Sequence, residues 1–113
     1  MKKVLINLAL FLLCSPVVAQ VPVSEYYENS DEPFMVSYIW GVSSGMLALS
    51  AIRNQNSGHR TFCIPEERVI TNSESIAIFE AELTDGLGLK KHPEDTPISV
   101  VFLMALESRF PCR

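Results

Sequence analysis

Residues that mark catalytic and metal-binding chains are scarce in this sequence. Its 113 residues include two histidines, three cysteines and one tryptophan. Neither His59 nor His92 lies at ligand spacing from a cysteine, so no metal site is expected. There is no glycine-rich phosphate loop, and no cofactor is implied. Basic residues are few, nine against thirteen acidic, for a net charge of −4. Phosphate backbones repel such a chain, which argues against nucleic acid as a partner. No segment alternates convincingly as a strand, and no repeat or low-complexity tract occurs. The length suits one small domain.

The N-terminus differs from the rest. Met1-Lys2-Lys3 is basic, Val4 to Cys14 is apolar apart from Asn7, Ser15-Pro16 breaks the run, and Val17-Val18-Ala19 supplies small residues before a cut. That is the layout of a bacterial-type secretory signal over residues 1–19. The apolar run is short for a bilayer span. Leu13, just before Cys14, does not suit a lipoprotein cut. Cleavage after Ala19 leaves 94 residues with seven basic and thirteen acidic side chains, a net charge of −6. This predicts a soluble periplasmic protein, off the membrane once cleaved, that suits a basic partner. It also leaves two cysteines, Cys63 and Cys112, which in an exported domain are expected to pair. Their bridge closes a loop of about 50 residues, worth about 4 kcal/mol on chain-entropy grounds.

The remainder reads as all-α, a small helical bundle tied by one disulfide. Residues 20–32 form a polar, acidic arm, expected to be mobile or loosely docked. A helix is predicted over 33–54, with Pro33 in its first turn and Asp31 as a possible cap. Its apolar stripe is Phe34, Tyr38, Val42, Leu49 and Ile52, widened by Met35, Ile39 and Met46. Gly41, Gly45 and Ala48 make a second, small-residue stripe, suited to close approach by a neighbouring helix or by a second copy of the chain. The interspersed serines and Arg53 favour a soluble helix over a membrane dimer. Residues 53–61 read as a polar loop. Thr71-Asn72-Ser73-Glu74 fits a capping box for a helix over 72–85. On it, Ile76, Phe79 and Leu83 face inward, and Glu74, Glu80 and Glu82 lie elsewhere. A long connection containing Gly86 and Gly88 follows. Thr96-Pro97 then opens a third helix, striped by Ile98, Val101, Phe102, Ala105, Leu106 and Phe110 and ended by Pro111-Cys112.

Catalysis finds little support. A Cys–His nucleophile pair needs a free cysteine, the acids select no pair, and His59 and His92 are expected to be exposed in loops. A binding protein, not an enzyme, is expected. Its candidate contacts are the two connections, at Asn54, Asn56 and His59 and at Asp85, Lys90 and Lys91, because loops carry variable recognition on helical scaffolds.

In order along the chain stand Tyr38-Ile39-Trp40-Gly41-Val42 with Gly45, Phe62-Cys63-Ile64-Pro65, His92-Pro93-Glu94, Ala105-Leu106 and Phe110-Pro111-Cys112. This ordered set resembles the Rap/Tai-type immunity proteins of type VI secretion systems, over residues 36–112. The resemblance implies a helical immunity domain over 33–113, periplasmic and often dimeric. It implies a secreted peptidoglycan-cleaving amidase as the partner, bound and blocked to prevent self-intoxication. Cys63 and Cys112 match the family's bridge, and Gly41 and Gly45 its small helix positions. Ser44 replaces an acidic residue usual beside Gly45, and the connection before His92 is richer in glycine. Two other readings stand beside this one. The first is a periplasmic acid-stress holdase, although its lysine-rich termini are missing here. The second is a binding module of the same fold without a partner.

Overall fold

A computed structural model describes residues 20–56 and 60–113, with the side chains of 53–56 left out. The expected signal segment lies outside the described residues. Among the described residues four helices follow one another: α1 (Val23–Asn29), α2 (Pro33–Asn56), α3 (Asn72–Leu83) and α4 (Ile98–Arg109). The chain is all-α, with Cys63 and Cys112 joined in a disulfide, their Cα atoms 5.0 Å apart. A disulfide is the chemistry of an oxidising compartment.

The core lies between α3 and α4 and is built on aromatic contacts. Phe79 stacks on Phe102 at 6.0 Å and receives the edge of Tyr26 at 4.9 Å. Ile98, Val101, Ala105 and Leu106 bury the stripe expected of α4. Thr71 caps α3 as its sequence predicts, its hydroxyl accepting from the Glu74 N–H at 3.2 Å. The other half of the box is not made, because the Glu74 carboxylate turns to Arg68 instead. Thr96 does not cap α4 either: the helix starts one residue later, with Pro97 at its cap and no side-chain bond there.

Residues 20–32 depart from expectation most. They form α1 and dock firmly, with Val23 and Tyr26 in the core. The anchor is backbone pairing that no local pattern reveals. The Val23 N–H donates to the Thr96 carbonyl at 2.8 Å and the Ile98 N–H to the Val21 carbonyl at 2.9 Å. The Tyr26 hydroxyl donates to Glu80 at 2.6 Å.

The face that α2 buries also differs. Among its described side chains Met35, Ile39 and Ser43 are buried, with Tyr38, Val42, Met46 and Leu47 packed at their margins. Phe34, Leu49 and Ile52, expected in the core, remain 66%, 54% and 57% exposed. An apolar helix with two competing stripes offers no periodicity that chooses between them. Cys63 and Phe62 follow α2 in the chain and tie to the end of α4. The Cys63 N–H donates to the Phe110 carbonyl at 2.7 Å, beside the disulfide.

Replacing both bridging cysteines by alanine is expected to cost about 2–5 kcal/mol, read as a lower urea midpoint. A reductant should reproduce the loss in the wild type and leave the double variant unchanged. Burial and the Glu80 carboxylate push the Tyr26 phenol well above its ordinary value. The unfolded chain therefore ionises first, and this contribution is intact below pH ~10 and lost above it. Denaturation between pH 8 and 11 should show the decline, and Tyr26→Phe should flatten it.

Candidate functional site

The connection between α3 and α4 is a braced loop, not a slack one. Its base is set by Glu82. Spacing of seven from Ser75 and three from Phe79 puts Glu82 on the buried side of α3, where it is 6% exposed. A buried carboxylate needs partners. Lys91 donates to it at 2.6 Å and His92 Nε2 lies 3.2 Å away, with the His92 side chain as buried as the carboxylate. Glu82 and His92 were expected at the surface. Both are inside because each satisfies the other.

Above this base the backbone closes on itself. The Lys91 N–H donates to the Leu83 carbonyl at 2.9 Å, and Thr84 bridges to Lys90. Asp85 organises the turn between them. One of its oxygens accepts from the Leu87 N–H at 2.8 Å and from the Leu89 N–H at 2.9 Å. The Asp85 N–H donates to the Leu89 carbonyl, and the Gly88 N–H to the Asp85 carbonyl. Gly88 has φ +78°, a left-handed conformation that explains glycine there. Lys90 lies over the Tyr27 ring at 4.3 Å and donates to Glu94 at 2.7 Å. That bond lifts the Lys90 amine above its usual value and draws the Glu94 carboxyl below its own.

The tip presents two apolar side chains to solvent. Leu87 is 86% exposed and Leu89 63%. Surface leucines held by a self-bonded turn have little backbone freedom left to lose in any contact they make. Asp85, Lys90 and Lys91, the expected contact residues, therefore form the brace, and Leu87 and Leu89 form the exposed tip. The sequence signal was present in the pattern Asp85-Gly86-Leu87-Gly88-Leu89: apolar residues in turn chemistry with no neighbouring stripe to join. Of the second expected cluster, the side chains of Asn54 and Asn56 and all of His59 lie outside the described residues. Gly41, Gly45 and Ala48 are exposed on α2, and a Cβ added to either glycine would meet nothing within 4 Å.

Gly41-Val42-Ser43-Ser44-Gly45 has the G-x-S-x-G spacing. A nucleophile elbow puts that serine on a strand-to-helix turn. Here it is mid-helix and buried, its hydroxyl 2.7 Å from that of Ser75. The pair ties α2 to α3. An open groove of about 390 Å³ crosses Ala77, Ala81 and Ala105 between α3 and α4, edged by Glu74 and Arg109. Its carboxylates are engaged, Glu74 by Arg68 and Glu82 by Lys91 and His92. Among the described residues no cluster of three metal-binding side chains occurs.

Compared with known protein families, characterised proteins and solved structures, the chain matches none.

Asp85→Ala removes one acceptor shared by two amides. Amide exchange at Leu87 and Leu89 is expected to accelerate about tenfold, equivalent to ~1.4 kcal/mol of local opening, with the core amides unchanged. Unaltered exchange at the tip would show that Asp85 does not hold the loop.

Proposed function

We propose that this chain is an exported, non-enzymatic inhibitor of the immunity type. It binds a secreted peptidoglycan-cleaving amidase in the periplasm and blocks its catalytic cleft, protecting the producing cell. The observation that carries this reading is the braced turn at 85–90, which offers Leu87 and Leu89 on a scaffold that needs no reordering to dock. Preorganisation of this kind lowers the entropic cost of association. The acidic balance of the chain speeds encounter with a basic enzyme.

The ordered motifs that resemble Rap/Tai proteins supply the partner class. In this fold they are mostly scaffold: Phe62 and Phe110 are buried, Cys63 and Cys112 are bridged, and His92 pairs with Glu82. Shared scaffold with a divergent tip fits a protein whose partner differs from those of its relatives. The glycine-rich connection, unusual for the family, is the segment that builds the tip.

The test is co-production in the periplasm with a small secreted Cys–His amidase encoded beside this chain. The wild type is expected to prevent lysis. A Leu87→Asp, Leu89→Asp double variant is expected to lose protection while keeping its melting temperature, since neither side chain is in the core. Lysis despite folded wild-type protein would refute the inhibitor reading. Full protection by the double variant would refute the role of the tip.

A further inference from the structure

We infer that a recess between α1, the first turns of α2 and α3 is a socket for one lysine side chain of a partner protein. Asp31 and Glu80 hold its ammonium, and the valine and isoleucine beside them cover its stem. This goes beyond the inhibitor reading and does not depend on it.

The recess has a volume of about 260 Å³, and its lining divides by chemistry. Val36, Ile39 and Ile76 make the apolar side, with Ile39 fully buried and Val36 and Ile76 half-buried. Asp31 and Glu80, both exposed, make the polar side together with Ser30 and the hydroxyl of Tyr26. Tyr26 is buried, and its hydroxyl steadies the Glu80 carboxylate by donating to it at 2.6 Å. Burial first, and then the charges of Glu80 and Asp31, push the Tyr26 phenol above its ordinary value. Both carboxylates therefore lie within electrostatic reach of one point in the recess.

Charge complementarity selects the occupant. From Gln20 to Ile52 the chain carries Glu25, Glu28, Asp31 and Glu32 and no basic residue. Among the described residues the ion pairs engage Glu74, Glu82 and Glu94, and neither Asp31 nor Glu80. Lys90 reaches α1, but it lies over the Tyr27 ring and donates to Glu94. A cation from outside therefore meets two carboxylates whose like charges favour its arrival. A bare ion would leave the apolar side in water. A lysine lies across the recess with its stem on that side and its ammonium at the rim. The acceptors come singly, from α1, from the turn after it and from α3, which suits the divergent donors of an ammonium better than the planar fork of an arginine.

Titration of the oxidised ¹⁵N-labelled protein with Nα-acetyl-lysine methylamide tests the socket without any partner in hand. The amides of Tyr26, Ser30, Asp31, Ile76 and Glu80 should shift and saturate together. Methylammonium, which has the charge without the stem, and Nα-acetyl-norleucine methylamide, which has the stem without the charge, should not saturate. Asp31→Asn and Glu80→Gln should each weaken binding about fivefold, as expected for one exposed charge pair. Glu80→Gln keeps an acceptor for the Tyr26 hydroxyl, so the fold should stay intact, and Glu67→Gln, on an exposed segment elsewhere, should change nothing. Saturation by methylammonium at the same amides would overturn the socket and leave carboxylates that gather counter-ions. Equal binding of the norleucine derivative would overturn the role of charge, and equal binding of Nα-acetyl-arginine methylamide would overturn the choice of ammonium. Tighter binding of n-butylammonium than of the lysine derivative would assign the recess to a free amine instead of a protein side chain. Shifts that never saturate, or that fall outside the recess, would remove the site.

Discussion

One buried carboxylate sets the course of the chain after α3. Helical geometry puts Glu82 on the core side, beside Phe79 and Leu83, where an unpaired charge is untenable. Its partners, Lys91 and His92, lie nine and ten residues on, so the chain must leave α3, turn and come back. That return closes the turn at 85–90 and delivers Pro93 to Thr96 to the start of α1. There the Glu94 and Thr96 carbonyls accept from the Ser24 and Val23 N–H groups. The tip, the entry to α4 and the docking of the N-terminal helix all hang on this contact. Lys91 is still 44% exposed on its side chain, so solvent shares in satisfying the pair.

The second constraint is economy of core. A short chain must supply two helices with buried aromatics and still hold a 24-residue helix against them. α2 contributes one narrow face, anchored by Met35, Ile39 and the Ser43–Ser75 hydroxyl pair. The disulfide limits what the unfolded chain can gain by separating the segment after α2 from the end of α4. The result is a molecule with a rigid tip at one place and a broad uncharged helix face at another.

Local sequence rules foresaw α2, α3 and α4, the Thr71 cap and the apolar stripe of α4, because each is a matter of spacing within one segment. The pairing of Cys63 with Cys112 followed from setting Cys14 aside with the expected signal segment. What escaped was non-local. Val23 and Tyr26 are three apart in a polar stretch, too few to announce a helix, and their docking depends on backbone bonds to residues some seventy positions away. Glu82 and His92 look like surface residues until each is seen to be the other's partner. α2 has apolar residues on most sides, so its pattern cannot say whether Ile39 or Leu49 turns inward. The connection stood out in the sequence, but its internal bonds did not: Asp85 accepts from the amides of Leu87 and Leu89, Lys90 donates to Glu94 and Lys91 to Glu82.

The claim that joins fold to function is that the tip is rigid before it meets any partner. Backbone ¹⁵N relaxation on the isolated, oxidised protein tests it directly. Order parameters at residues 85–90 should match those of α3 and α4, near 0.85. Values below about 0.6 at Leu87 and Leu89 would contradict the account, because the loop would then have to order on binding and the brace of Asp85, Glu82 and Lys91 would not be what presents it.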